Sequence, residues 1–487
     1  MKIGPGAALL TGVLAVAVGC AVNETDTDDT QGESEIRELE RRAVGPAKEY
    51  PAERYSEADA ETYAKSKKAR RELGWHVLAK ALKPVRIAGN LPARPAANGE
   101  AQAQPLPEPS IPLFRTWIGG DEFERMFAKM YGDLGKERRV AGDVPTKSEI
   151  DALFDWNAKA LGPFSEADYF ARLAQITNQQ GVDGLGGNAR VAYSPAYVRQ
   201  YFTDYQAMAK CGNGTLESLE VDTPPISEEQ NFTNCMSSEF APEAAVIKAS
   251  WRRNDAIVSG LPVLDTSAAT LKKRVAGQLD NGGWNARSLP TKAAGSEEAY
   301  TVKLTDESEY SLVGLHIMTK ELRHWVWVTV WWSPDADSDF GQDRPAEITQ
   351  LGAPWSNYKM CVVTDFDEKD PDPRGGFDGS LGDALEAVHG KTTWCSNGFI
   401  EKGDHNAQTN CIGCHQHAGD TRSLDSILTD ENKFPFQGRT QVRKGFPADY
   451  SWAFATPASS DQKDRLLDVV VNRMKVYARD DGASSDP

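Results

Sequence analysis

The spacing of apolar residues changes near residue 243, and this change separates a mostly helical part of the chain from a strand-rich part. Before it the patterns are helical, and capping signals at Ser56 and Thr146 mark two helix starts. The helix that starts at Ser56 is expected to continue to about residue 82. After the change, strand-like runs are predicted at residues 245–251, 300–304, 312–318, 324–332 and 360–364. Together these patterns predict an α+β fold.

The run at residues 325–332 is apolar on both of its faces. Trp325, Trp327 and Trp331 alternate with valines, so a strand formed here would have one tryptophan face and one valine face. Such a strand is predicted to be covered on both sides. We interpret the tryptophans as part of the core of this β-rich domain.

The N-terminus has the pattern of an export signal. Lys2 precedes an apolar run at residues 7–18, which is too short to span a bilayer. The run ends in Ala17-Val18-Gly19-Cys20, small residues before a cysteine, as in a bacterial lipobox. We therefore expect lipidation of Cys20 and a periplasmic or cell-envelope lipoprotein that is tethered to the membrane. Ordinary cleavage near the same position is the alternative.

Composition divides the rest of the chain into segments. Residues 21–55 form an acidic tether with few bulky apolar residues, and residues 91–112 are rich in proline, alanine and glutamine, as in a linker. The predicted organisation is a lipoprotein signal peptide (1–20), the tether (21–55), a helical segment (56–90), the linker (91–112), a helical region (113–240), a β-rich domain (241–390) and a loop-rich, helical C-terminal region (391–487).

The formal net charge of −17 narrows the choice of partner. Nucleic-acid binding depends on clustered Lys and Arg, so no nucleic-acid partner is expected, whereas a basic protein would be attracted. Acidic loops at residues 334–343 and 365–383 carry carboxylates that suit calcium, but EF-hand spacing is lacking. We interpret them as solvated loops.

The chemistry is concentrated in the string Cys411-Ile412-Gly413-Cys414-His415. Two thiols at this spacing can add to the two vinyl groups of one haem, and the histidine that follows becomes an axial iron ligand. A zinc site needs further ligands at recognisable spacing, and a thioredoxin-like pair does not require the histidine. The motif therefore predicts one covalent haem c, attached through Cys411 and Cys414 and ligated by His415.

The motif resembles that of c-type cytochromes, and the wider chain is similar to large bacterial cytochrome c family lipoproteins with a single haem motif late in the sequence. The wider likeness spans residues 57–480. It implies haem binding and electron transfer. Its strings are Gly314-Leu315-His316, Trp325-Val326-Trp327, Trp394-Cys395-Ser396-Asn397 and Phe446-Pro447-Ala448-Asp449-Tyr450.

Four of the seven cysteines remain after lipid and haem are assigned. In an oxidising compartment an even remainder favours disulfides, and four cysteines allow three pairings. We favour the two pairs that are local in sequence, and free thiols are the alternative. The favoured pairs are Cys211 with Cys235 and Cys361 with Cys395.

The sequence offers several candidates for the sixth ligand of the iron. Met474 follows His415 at a separation that is common for a distal methionine, and it is the first choice. His316 and His324 flank a predicted strand and are the second. An open iron is the remaining possibility.

These features predict an exported electron-transfer protein whose partner is a redox protein or a small-molecule electron donor or acceptor. The first alternative is an oxidoreductase that acts on a small molecule at an open iron, with His316, His324 or an acidic residue as proton donor. The second is a surface binding module in which haem is structural and the Trp-rich domain binds a ligand.

Overall fold

The computed structural model describes residues 47–86, 110–119, 123, 126, 127, 129, 130, 144–160, 188–210, 236, 238–275, 289–303, 309–364, 395–401, 411–415, 418 and 449–451. These residues combine helices with antiparallel sheets, so the predicted α+β class is confirmed. The α-helices are α1 (Glu57–Lys65), α2 (Lys67–Leu82), α3 (Lys147–Ala160), α4 (Pro195–Lys210), α5 (Ala268–Val275), α6 (Ala346–Thr349) and α7 (Cys411–His415). The strands are β1 (Pro84–Arg86), β2 (Ser110–Pro112), β3 (Ile118–Gly119), β4 (Asn188–Tyr193), β5 (Ala245–Arg253), β6 (Leu261–Pro262), β7 (Thr291–Lys292), β8 (Thr301–Lys303), β9 (Glu309–Thr319), β10 (Val326–Trp332) and β11 (Tyr358–Val363).

Both predicted capping signals are present, but the first helix is broken. Ser56 and Asp59 cap α1 reciprocally. Thr146 Oγ1 accepts a hydrogen bond from the backbone nitrogen of Glu149 at 3.3 Å at the start of α3. The single helix expected from Ser56 to residue 82 is instead two helices. Ser66 is extended and its hydroxyl accepts from Ala69 N at 3.2 Å, so it ends α1 and caps α2.

A seven-stranded sheet forms the centre of the described structure, with the order β11-β10-β9-β5-β4-β3 and β8 paired to β9. Its pairs are all antiparallel. Two of its strands, β3 and β4, come from the region 113–240, which the sequence predicted to be helical. The prediction of a helical region is thus corrected in part: α3 and α4 are present, but two short strands of the same region complete the sheet of the β-rich domain.

The strand runs of the β-rich domain lie close to where the sequence placed them, and β10 is buried along its whole length. Trp325 departs from the prediction. It precedes β10 in a left-handed conformation, with φ of 66°, because the chain turns there from the 320–324 loop into the strand. Trp327 and Trp331 remain in the strand as predicted.

Helix α2 packs on one face of the sheet, over β11 and β10. A Cβ atom at Gly74 would lie 2.9 Å from Val362 Cβ and 3.0 Å from Met360 Sδ, so the absence of a side chain lets the helix approach β11 closely. Arg71 reinforces the contact, because its guanidinium donates to the Met360 carbonyl at 2.7 Å.

A buried carboxylate ties the first described residues to the turn after β9. Glu321 accepts hydrogen bonds from the Tyr50 hydroxyl at 2.8 Å and from Glu53 N at 2.7 Å, and it pairs with the Lys80 ammonium. Its charge is thereby compensated in a buried position. Among the helices of the described ranges, none is long and apolar enough to cross a membrane.

We expect Gly74→Ala to lower the free energy of unfolding by about 1–2 kcal/mol, because overpacking at β11 outweighs the helix propensity of alanine, which is worth about 1 kcal/mol. Urea unfolding of purified protein measures the difference. Gly295→Ala is the control, since a Cβ there meets no atom within 4 Å. An unchanged or higher stability of Gly74→Ala would contradict the close contact.

Candidate functional site

Polar side chains form a row across the face of the sheet opposite α2. Lys248 on β5 lies beside His316 on β9, which pairs with Thr329 on β10, which pairs with Cys361 on β11. Neighbours in register point to the same face of a sheet, so these four side chains share one surface. Lys248, Thr329 and Cys361 are buried, and partners from elsewhere in the chain are needed to satisfy their polar groups.

The segment 395–401 covers this row and supplies partners. A disulfide joins Cys361 to Cys395, with Cα atoms 5.8 Å apart. The Asn397 amide donates to Thr329 Oγ1 and to the Val330 carbonyl, both at 2.9 Å. The predicted pair Cys361–Cys395 is thus confirmed, whereas Cys211 and Cys235 lie outside the described residues.

A glycine on β9 allows this segment to approach the sheet. A Cβ atom at Gly314 would lie 3.0 Å from Phe399 Cβ and 3.2 Å from Asn397 Nδ2. Gly314 shares a sheet face with His316, since they are two residues apart. Close packing of this segment therefore depends on the missing side chain at 314.

The motif residues form the short helix α7, in which Cys411 and Ile412 are buried. Positions 411 and 414 are one helical turn apart, and His415 follows directly. The His415 ring is buried, and its centroid lies 4.5 Å from that of Trp327. Its Nδ1 donates a hydrogen bond to the Tyr450 carbonyl at 2.8 Å.

This hydrogen bond determines which nitrogen of His415 is available. With the proton on Nδ1, Nε2 carries the lone pair, which is the form in which histidine ligates a metal. Burial is the main cause that lowers the pKa of His415 to about 4; the hydrogen bond to Tyr450 acts in the opposite direction, and the positive charge of Lys248 contributes to the lowering. The ring is therefore neutral at pH 7. Among the described residues, none hydrogen-bonds its Nε2.

Asp449 holds the Tyr450 carbonyl in place. Its carboxylate pairs with Lys320 Nζ at 2.8 Å, and Trp325 Nε1 donates to it at 3.1 Å. Trp325, Asp449 and Tyr450 all have positive φ, at 66°, 43° and 65°. Such conformations cost about 1–3 kcal/mol each and persist where surrounding contacts determine them. These strained residues therefore lie next to the carbonyl that binds His415.

His316 and Glu401 form a second titratable pair near His415. His316 Nε2 lies 3.6 Å from Glu401 Oε1, and its side chain remains 19% exposed although β9 is an interior strand. Among the described residues it has no hydrogen-bond partner at Nε2. Burial, aided by the charges of Lys248 and His415, holds the pKa of His316 well below its usual value.

Burial also raises the pKa of Glu401 to about 7, although hydrogen bonds from Ser396 and Asn397 favour its charged form. Asn397 N donates to Glu401 Oε2 at 2.6 Å. At pH 7 His316 is therefore neutral, and Glu401 is near the midpoint of its titration. A buried acid that titrates near neutrality can hold or release a proton in the physiological range.

Several predicted site residues lie outside the described residues, namely Cys20 and Met474, together with the side chain of Cys414. His324 is described, and its ring centroid is 5.9 Å from that of Tyr450. The identity of the sixth ligand stays a prediction. The structure also brings in Glu401 and Lys320, which sequence reasoning did not single out, because isolated charged residues carry no signal of their burial.

The four strings on which the resemblance rests converge on this site. Gly314 and His316 line the sheet face, Trp327 contacts His415, Asn397 anchors the covering segment, and Asp449 supports the Tyr450 carbonyl. They are far apart in sequence. Residues of all four strings therefore lie together at the candidate site.

The acidic loop at residues 334–343 is paired with cationic side chains. Asp337 binds Arg344 at 2.7 Å, and Asp339 lies 3.4 Å from the ammonium of Lys359. In the described part of the chain, no group of three or more His, Cys, Asp or Glu side chains is placed to hold a metal ion. Residues 365–383 lie outside the described residues.

Comparison with known proteins adds no assignment: no family model matches the chain, and neither curated proteins nor solved structures match it.

We expect Glu401→Gln to remove a pH-dependent part of the stability. A carboxyl whose pKa is raised in the folded state stabilises the fold below its unfolded value, near 4.5, and this contribution is lost as pH rises through 7. Wild type should therefore lose up to about 3 kcal/mol relative to Glu401→Gln between pH 4.5 and 8.

Urea unfolding of both proteins at several pH values measures this difference. Glutamine retains an oxygen that accepts from Ser396 and Asn397, so the local hydrogen bonds are kept. The exposed Glu297→Gln is the control and should follow wild type at every pH. A constant offset between wild type and Glu401→Gln would contradict the raised pKa.

Proposed function

We propose that this protein is an exported, single-haem c-type cytochrome that mediates electron transfer. The observation that carries the proposal is the state of His415: a neutral ring, fixed through Nδ1 by the Tyr450 carbonyl, with Nε2 left for a ligand. An axial histidine needs this arrangement, because the hydrogen bond at one nitrogen orients the other towards the metal.

The other residues of the motif fit the same group. Cys411 and Cys414 would attach the haem, and His415 would ligate its iron from the same helix, α7. When bound, haem supplies a one-electron couple between ferrous and ferric iron. The chain contributes orientation through Tyr450 and a largely apolar contact through Trp327, which excludes water from the ring of His415.

The His316–Glu401 pair favours one second candidate, an oxidoreductase that acts on a small molecule at an open iron. Glu401 is buried and has a pKa of about 7, the range in which an acid donates a proton efficiently. The electron-transfer function takes precedence because it requires only the motif and its support. A six-coordinate, low-spin optical spectrum would favour it over the enzyme.

Haem should remain attached to this protein after denaturation, because thioether bonds are covalent. A haem stain of a denaturing gel should show a band at the size of the chain, and Cys411→Ala with Cys414→Ala should abolish it. The double variant Cys361→Ala with Cys395→Ala removes the disulfide instead, and it should keep the stain. A wild-type band without haem would refute the proposal.

We also expect the mature protein to begin at an acylated Cys20 and to partition with membranes. Mass spectrometry of the N-terminal peptide from membrane fractions measures the modification. Cys20→Ala should release the protein from the membrane fraction while the haem stain is kept. An unmodified Cys20, or a mature chain that still begins at Met1, would contradict the lipid anchor.

A further inference from the structure

Aromatic side chains form a continuous series of contacts that starts at the ring of His415. The Trp327 centroid lies 4.5 Å from that ring, and Trp325 follows at 6.4 Å. Phe240 contacts Trp325 at 5.3 Å. Each of these three side chains is buried. The series of contacts therefore begins at His415 and passes through Trp325, whose indole also donates to Asp449.

The series continues into α4 with centroid separations of 4.7, 5.0, 4.8, 4.6 and 5.7 Å. Its order after Trp327 and Trp325 is Phe240, Tyr197, Tyr193, Phe123, Tyr201 and Tyr205. We call the series from Trp327 to Tyr205 the aromatic chain. Its rings are buried up to Tyr201, and Tyr205 is half-buried, so the chain opens to solvent at its far end.

The composition of the aromatic chain suits electron movement. Indole and phenol side chains can each lose one electron, and a single phenylalanine separates such rings at two places, Phe240 and Phe123. Centroid separations between 4.5 and 6.4 Å keep every tunnelling step short. Burial raises the pKa of Tyr205 to about 12, so its phenol is protonated at neutral pH.

Polar partners accompany the indoles along this route. Trp327 Nε1 donates to the His324 carbonyl at 2.9 Å, and Trp325 Nε1 donates to Asp449. The Lys320 ammonium lies 5.4 Å from the Trp325 centroid, but Asp449 also pairs with that ammonium and offsets its charge. Trp325 adopts its left-handed conformation at this junction, which places it between Trp327 and Phe240.

We propose that the aromatic chain carries single electrons from Tyr205, at the surface of α4, to the haem centre at His415 when hydrogen peroxide is the oxidant. This inference rests on the proposed haem and, because peroxide must reach the iron, on the second candidate function, an iron that is open to a small molecule. It adds a second redox site, the Tyr205 surface, at which an external one-electron donor is oxidised.

The electron balance is complete for the ferrous protein. Hydrogen peroxide takes up two electrons and two protons, its O–O bond breaks, and two water molecules form. A ferrous haem held by His415 would supply one of these electrons. Tyr205 supplies the other electron and its phenolic proton, leaving a neutral tyrosyl radical, and solvent supplies the second proton. An external donor then reduces Tyr205.

The test mixes the reduced, haem-loaded full chain with one equivalent of peroxide in the presence of a nitroso spin trap. Electron paramagnetic resonance measures the radical, and peptide mass spectrometry locates the adduct. We expect the adduct at Tyr205. Trp327→Phe should lower its yield at least tenfold, and Tyr201→Phe, which removes only a hydroxyl, should lower it as well.

Tyr300 provides the matched control. It is also half-buried, and it stacks on Trp355 at 4.8 Å in a separate aromatic group. Tyr300→Phe should leave the Tyr205 adduct unchanged. An adduct at Tyr300 as strong as that at Tyr205 would overturn the inference, since exposure alone would then explain the labelling.

Two further outcomes separate the inference from the proposed function. A chain that carries no covalent haem on a denaturing gel overturns both. A chain that carries haem and consumes peroxide, but gives no adduct at Tyr205 or gives the same yield in Trp327→Phe and Tyr201→Phe, overturns the aromatic chain alone.

Discussion

The structure depends on the constraint that both faces of its central sheet are covered. The face opposite α2 carries Lys248, His316 and Thr329, and a buried polar group without a partner costs about 1–3 kcal/mol. The segment 395–401 meets this demand at Thr329 through Asn397, while His316 Nε2 keeps no hydrogen-bond partner among the described residues. The disulfide to Cys361 fixes one position of the segment. Because hydrogen bonds are directional, these contacts fix how the segment 395–401 sits on the sheet.

The candidate site follows from that placement. Once the covering segments are on the sheet, Asp449 reaches Lys320 and Trp325, and the next carbonyl, that of Tyr450, faces the Nδ1 of His415. A buried ion pair that loses one partner leaves an unpaired charge, so breaking the contact between Asp449 and Lys320 is costly. The ring that would ligate iron is thus coupled to the turn between β9 and β10, and through Trp325 to the aromatic core.

Local patterns predicted local structure well. The capping boxes, the strand runs of the β-rich domain and the short-range disulfide Cys361–Cys395 depend on neighbouring residues or on simple spacing. The failures have a common cause. Ser66 divides one expected helix because its own side chain caps α2. Strand β4 pairs with β3 and β5, which are both far from it in the sequence. The secondary-structure propensities of neighbouring residues contain no information on which of two possible caps ends a helix, or on which distant strand a segment pairs with.

By itself, the sequence determined the α+β class, the chemistry offered by the string from Cys411 to His415, and the alternation that buries β10 on both faces, because each is written in residues that are close together. Only the tertiary structure decided that Tyr450 fixes the His415 tautomer and that Glu401 is buried beside His316 with its pKa raised to about 7. These properties arise from desolvation and from hydrogen bonds between residues far apart in the chain, and no local pattern encodes them.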